Sequence, residues 1–198
     1  MPAIATGEML RQEIRSGTRL GRSVKSLIDS GHFVGDTPMN RMLLRRVKHP
    51  DCAGGFLLDG YPRTVPQAVF LDRLVEKLAM PTPFVIHLEV PEKVILDRLS
   101  GRRVCPHCGS VYNIHTHPPA REGYCACGVP LVTRPDDQTE VVRARQVVYH
   151  RQTGPVLDYY AGRNCYSING HRDPAEVFAE IQGILEAKFV PVRPRRRA

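Results

Sequence analysis

Apolar residues recur at two different periods along this chain, and the switches between them mark out short strands and helices. Pro2 to Ala5 reads as a short extended segment, with Thr6 as a helix N-cap and Glu8 at the positive end of the helix that follows. Leu20, Val24, Leu27 and Ile28 fall on one face of a helix, and Gly31 suits its stop. Asp36-Thr37-Pro38 opens a further helix carrying Met42, Leu43 and Val47. Phe56-Leu57-Leu58 is a short apolar run flanked by glycines, the pattern of a buried parallel strand. Pro66 starts a helix that turns Phe70, Leu74, Val75 and Leu78 inward. Phe84 to Val90 predicts the next strand, with Pro91 as the first helical residue after it. Between 104 and 133 the helical period disappears among cysteines, glycines and prolines, which marks a separate small module. Helices resume near Thr139 and over Pro155 to Tyr160, Cys165 to Ile168 is a last short strand, and Asp173-Pro174-Ala175-Glu176 caps a closing helix. Strands alternating with helices predict an α/β domain built on a parallel sheet.

Composition narrows the class. The 198 residues are 42% hydrophobic and 24% charged, which suits one globular domain with a small insertion. No apolar run approaches the ~20 residues of a membrane span, and Met1 to Leu10 lack a secretion signal, so the expected address is the cytoplasm. The net charge of +8 admits nucleic acid, membrane surfaces or small phosphate compounds as partners. Half of that charge is Arg193, Arg195, Arg196 and Arg197, in a Pro/Arg stretch over 191–198 that reads as a solvated, disordered tail. It is weak evidence for a nucleic-acid partner.

Four of the six cysteines are clustered as Cys105-x-x-Cys108 and Cys125-x-Cys127. Paired cysteines in a cytosolic chain favour a metal over disulfides, and four thiolates suit a tetrahedral, structural Zn²⁺. The second pair is one residue shorter than usual. That leaves open His107, His115 or His117 as a substitute ligand, and also two reduced pairs or a disulfide. A zinc-ribbon nucleic-acid binder would need bases and aromatics clustered on the ribbon, which this module lacks. Cys52 and Cys165, far apart in sequence, read as plain core residues.

Five strings occur in order: Thr6-Gly7-Glu8-Met9-Leu10-Arg11, Phe56-Leu57-Leu58-Asp59-Gly60-Tyr61-Pro62-Arg63-Thr64, Asp97-Arg98-Leu99-Ser100-Gly101-Arg102-Arg103, Thr133-Arg134-Pro135-Asp136-Asp137 and Val142-Arg143-Ala144-Arg145. Together they resemble the adenylate kinase family, in its long-lid, zinc-type form, over roughly residues 2–188. The resemblance implies a P-loop-kinase-like parallel sheet flanked by helices. It divides the chain into a core over 1–103 and 134–190, with AMP-binding helices at about 6–35, and a β-rich lid over 104–133. It implies transfer of a phosphoryl group from ATP to AMP, giving two ADP, with Mg²⁺ and by a monomer. Thr6, Arg11, Gly60, Arg63, Gln67, Arg134 and Arg145 would form the AMP site, Gln67 reading the adenine edge. Arg98 and Arg102 would meet ATP, Arg98 also stacking on its base. Arg63, Arg98, Arg102, Arg134 and Arg145 would gather around the transferring group, with Asp59 holding Mg²⁺ through water. Asp136 and Asp137 would orient the lid arginines, and Cys105, Cys108, Cys125 and Cys127 would hold the zinc. Arginine suits such work because its planar fork grips phosphate with two donors and stays charged.

One part of the family pattern is missing from these residues. Family members begin with a central strand, a glycine-rich loop ending in Gly-Lys-Ser or Gly-Lys-Thr, and a helix; here no Gly-x-x-x-x-Gly-Lys occurs. The expectation is a sheet without its first, central strand, whose neighbours near 56–58 and 84–90 keep unpaired edges in a dry interior. For catalysis it is impaired transfer by the chain as given. Either these residues belong to a longer enzyme, or the protein is a non-catalytic AMP-binding relative.

Overall fold

Strands in this molecule pair two by two. The computed structural model describes residues 1–188, and the stretch read as a tail at 191–198 lies outside the described residues. The elements are β1 (Ala3–Ala5), α1 (Thr6–Arg15), α2 (Arg19–Asp29), α3 (Asp36–Val47), β2 (Leu57–Asp59), α4 (Val65–Lys77), β3 (Val85–Glu89) and α5 (Glu92–Ser100). Then follow β4 (Arg102–Val104), β5 (Val111–Asn113), α6 (Thr139–Gln152), α7 (Gly154–Tyr160), β6 (Cys165–Asn169) and α8 (Pro174–Lys188). β1 lies parallel to β2 with Ile4 opposite Leu58, and β3 lies parallel to β6 with His87 opposite Ser167. The antiparallel pair β4–β5 belongs to the cysteine-bearing module.

The parallel α/β architecture expected from the sequence is present, but among the described residues it forms two separate two-stranded sheets. β2 and β3 each keep one unpaired edge. The dry interior expected around those edges is not what forms: Leu57 is 52% exposed and Leu88 49% exposed. Water therefore reaches both strands, which spares much of the cost of ~1–3 kcal/mol for each backbone group left dry and unpaired. The cost moves to apolar side chains left in water, since fully burying a leucine contributes ~1.5–3 kcal/mol.

Most of the core lies at the N-terminal end. Ile4, Leu10, Met42, Leu43, Tyr61, Leu71 and Leu74 form one buried cluster among β1 and α1 to α4. A smaller one joins Ala68 of α4 to Val156 and Tyr160 of α7. By contrast α5 and α8 contain no fully buried residue, and Phe178 on α8 is largely exposed. Cys52 is buried, as expected of a core residue, whereas Cys165 is only partly so.

Several local expectations are corrected. Thr6 is the first helical residue, not the N-cap; Ala5 holds that position without a side-chain cap. The Thr6 hydroxyl lies instead within hydrogen-bond range of the carbonyls of Asp59 and Gly60, at 3.2 and 3.0 Å. Pro91 is the N-cap of α5, one position before its expected place. β2 runs one residue later than the apolar run, so Asp59 ends the strand and Phe56 precedes it.

The crossing of α1 and α2 sets the floor of the region described below. Thr18 caps α2 by accepting from the Gly21 N–H at 3.0 Å. Gly21 is buried, and a methyl group there would overlap the backbone carbonyl of Glu13. Gly21→Ala is therefore expected to force the helices apart and cost roughly 1–3 kcal/mol. A thermal melt followed by circular dichroism should show a midpoint lower by several degrees, and an unchanged midpoint would contradict this packing.

Candidate functional site

The ends of β1 and β2, the start of α1 and the hinge before α6 converge on one cavity of about 690 Å³. α1 contributes Thr6, Gly7, Glu8 and Arg11, the end of β2 and the turn after it contribute Asp59, Gly60 and Arg63, and α4 contributes Gln67. Arg102 enters from β4, Arg134 and Asp136 from the hinge, and Arg145 from α6. Every residue expected in the AMP site thus lines a single cavity, joined by Asp59 and Arg102. Arg98 does not line it: it lies near the end of α5, where its Nη1 donates to the carbonyl of Gly170 at 3.1 Å.

Gly60 makes the β2 turn possible. Its φ of +74° lies in the left-handed region, and a side chain there would press on Arg63 Nη2 at 3.0 Å and on the Thr6 hydroxyl at 3.3 Å. Arg63 is fixed from several sides. Its Nε donates to the Gly60 carbonyl at 2.9 Å, and its guanidinium lies 4.6 Å from the centre of the Phe33 ring. The Arg63 backbone N–H donates to Gln67 Oε1 at 2.8 Å, while Gln67 Nε2 donates to Asp36 Oδ1 at 2.8 Å. Gln67 thus supports the Arg63 turn with one acceptor site and one N–H of its amide, and a second N–H and a second lone pair are left over.

The charges are crowded. Five arginines line the cavity against the carboxylates of Glu8, Asp59 and Asp136. Burial and the neighbouring Arg145 charge push Arg63 down to about 10. Burial, then Arg11 and Arg102, push Arg134 down as well. The Arg134 guanidinium makes no hydrogen bond or ion pair among the described residues, and Asp136 and Asp137 act on it only through the field of their charges. Arg11 is held by Glu8 at 3.0 Å, which also takes Arg15 at 2.6 Å. Burial works against the Glu8 carboxylate, but those two arginines hold its carboxyl below the ordinary range. Arg102 makes a two-pronged pair with the buried carboxylate of Asp137, and Arg145 lies 3.8 Å from Asp136. Asp137 thus fixes Arg102, while Asp136 stands at longer range from Arg145 of α6. Asp59 has no partner at its carboxylate among the described residues.

The cysteine module closes over one wall, where Cys108, Gly109 and Val111 also line the cavity. All four clustered cysteines are free thiols, and their Sγ atoms lie within 4.8 Å of one another. Cys105 to Cys127 is 3.5 Å, Cys108 to Cys125 3.4 Å and Cys108 to Cys127 3.7 Å. Thiolates 2.3 Å from a tetrahedral ion would lie about 3.8 Å apart, so the donor set fits zinc in kind and in spacing. The short second pair needs no histidine: His107, His115 and His117 stand outside the cluster. The Ser110 hydroxyl holds the Cys108 thiol below its ordinary range. The Cys127 backbone N–H, with the Tyr112 hydroxyl, brings Cys125 down to about 6.

Sequence reasoning missed Phe33 under Arg63 and the Asp36–Gln67–Arg63 chain. The Phe33–Arg63 and Asp36–Gln67 contacts have no local signal, because they join residues 30 and 31 positions apart.

Comparison with known proteins identifies the family. A family model described as adenylate kinase matches residues 1–165. The adenylate kinase of Oceanobacillus iheyensis is 43% identical over 190 residues, covering 95% of this chain and 88% of its own length. That of Thermosipho melanesiensis is 43% identical over 187 residues, covering 93% and 87%. That of Pseudothermotoga lettingae is 39% identical over 188 residues, covering 94% and 87%.

Gly60→Ala tests the turn. Forcing alanine into the left-handed region costs roughly 1–2 kcal/mol, and the added methyl group displaces Arg63. We expect a melting point lower by several degrees and AMP affinity, measured by calorimetry, reduced by about tenfold. Wild-type values for both would show that neither φ nor Arg63 placement matters.

Proposed function

The chain belongs to the adenylate kinase family of phosphotransferases, and we propose that its cavity binds AMP and receives a phosphoryl group from ATP, giving two ADP. One observation carries this reading: five arginines, only some of them matched by carboxylates, are gathered in a space that fits a nucleotide. A polyanion resolves that crowding, and phosphoryl transfer needs little from protein beyond alignment, charge neutralisation and exclusion of water.

In this reading Arg11 and Arg63 grip the AMP phosphate, with Thr6 and Gly60 shaping the wall around it. Arg134 and Arg145 reach the same phosphate from the hinge side. Arg102, steadied by Asp137, meets the phosphates of ATP, and Arg98 meets its base from outside the cavity. Asp59, with its carboxylate free, is placed to hold the waters of the Mg²⁺ that accompanies ATP and neutralises its phosphates. The lid covers the reacting groups, and the four cysteines hold a structural Zn²⁺ that keeps its fold. The chain works as a monomer in the cytoplasm. No helix among the described residues is long and apolar enough to cross a membrane.

Residues 1–198 contain no glycine-rich loop ending in Gly-Lys, so the polypeptide made of them alone should bind AMP well and transfer slowly. Losing a single well-placed donor to developing charge costs roughly 10²–10³-fold in rate, and a whole loop of them costs more. A coupled assay for ADP on this polypeptide should fall at least that far below the rates of its relatives; rates comparable to theirs would refute the impairment. The second reading, an AMP-binding protein without transfer, predicts AMP binding by calorimetry and no ADP at any enzyme concentration.

Arg63→Ala should weaken AMP binding by about 10- to 100-fold, as loss of a charge-assisted hydrogen bond implies, while leaving the lid metal in place. Absence of AMP binding by the unmutated chain would sink both readings. For the metal, loading with Co²⁺ should give one equivalent and the absorption of a tetrahedral thiolate complex. Loss of that signal in Cys105→Ser would confirm the ligand set.

A further inference from the structure

The cysteine cluster and the phosphate-facing arginines share the same two chain segments. Arg102 begins β4, Val104 ends it, and Cys105 follows directly. On the returning side, Val132 pairs with Val104 through two backbone hydrogen bonds of 2.9 Å, and Arg134 lies two residues beyond. The module is therefore entered past Arg102 and left past Arg134, with one bridge between the two segments. The close sulfur contacts all tie the first loop to the second: Cys105 to Cys127, Cys108 to Cys125 and Cys108 to Cys127. Tyr112 on β5 adds a further tie, its hydroxyl accepting from the Ala126 N–H at 3.2 Å. Finally, Cys108 and Gly109 form part of the cavity wall itself.

These ties work against a force. Arg102 and Arg134 carry like charges near one another, and the repulsion is felt at Arg134. Asp136 and Asp137 offset the Arg134 charge only in part, so the backbone bridge, the Arg102–Asp137 pair and the sulfur cluster together hold the two segments in register. We propose that the cluster is a positioning element for phosphate binding: the ion it holds sets the separation of Arg102 and Arg134, so that metal and nucleotide each bind more tightly when the other is present. This rests on the reading of the cavity as a nucleotide site and of the cysteines as a zinc site. It goes further than a structural role, because a metal that only keeps the module folded would be indifferent to the cavity's contents. Coupling between two sites is reciprocal, so it can be read from either end.

The test uses the whole chain loaded with one equivalent of zinc. Zinc release to a chromogenic chelator is timed with no ligand and with saturating AMP, with free zinc plus AMP as the control for direct chelation. Saturating AMP should slow release at least about fivefold, the lower end of usual coupling between sites. Calorimetry on zinc-stripped chain should show AMP affinity reduced by a similar factor, restored by reloading with Cd²⁺. If stripping unfolds the chain, the release experiment on loaded protein decides alone. Release rates within about twofold of each other, on a chain shown by calorimetry to bind AMP, would overturn the proposal and leave both underlying readings intact. A chain that takes up no metal would remove the zinc reading and this one with it. A loaded chain that binds no AMP would remove the nucleotide reading and this one together.

Discussion

Repulsion among guanidinium groups is the constraint around which this molecule is arranged. Two unit charges 4 Å apart interact by ~1 kcal/mol in water and ~4 kcal/mol at an effective dielectric of 20, so each arginine brought toward the cavity must be answered. Glu8 answers Arg11, Asp137 answers Arg102, and Asp136 stands at longer range from Arg145. Arg63 is treated differently: a carbonyl and an aromatic face hold it directly and Asp59 acts at longer range, while burial works against its charge. The Arg134 guanidinium is left without a hydrogen bond or ion pair among the described residues, offset only by the field of Asp136 and Asp137. The cavity therefore keeps an excess of positive charge.

The scaffold that meets this constraint is strongest at its N-terminal end. β1, β2 and α1 to α4 enclose the larger core, and from it project Arg11, Gly60, Arg63 and Gln67. The second sheet, β3 with β6, carries a smaller share of buried apolar surface, and α5 and α8 rest on it without a fully buried residue. Arg98 belongs to that lighter part, which is why it sits apart from the cavity and satisfies itself on the Gly170 carbonyl. The separation of the two sheets and the separation of Arg98 from the other arginines are one structural fact.

Much of this was legible in the sequence, because strand and helix periods are local and the motif strings come in order. The α/β class, the places of most elements and the five arginines that line the cavity could be read there. What could not be read depends on distant partners. Threonine before a helix signals a cap, yet Thr6 turns its hydroxyl to carbonyls more than fifty residues away. Gln67 was read for its type and position, and its bonds to Asp36 and to the Arg63 N–H could not be seen from either. The short Cys-x-Cys spacing suggested a replaced ligand. In the fold, the backbone hydrogen bonds Gly128 to Cys125 and Cys125 to Val129 turn the loop tightly enough for both sulfurs to arrive. The free strand edges were expected in a dry interior, and only side-chain exposure shows them wet.

The hinge turn at Pro135–Asp137 explains how the two halves of the site can be set separately. Adjacent carboxylates on one short turn face arginines from different elements: Asp137 holds Arg102 of the lid strand, and Asp136 looks toward Arg145 of α6. The first pair is two-pronged with a buried carboxylate, and separating it would strand a charge, at a cost of several kcal/mol. The second is long and partly exposed, and such pairs contribute little. An anion entering the cavity therefore meets a lid arginine already fixed in place and an α6 arginine free to turn toward it. Rigid on the lid side and yielding on the helix side, the turn lets the cavity adjust to its ligand without loosening the module that closes over it.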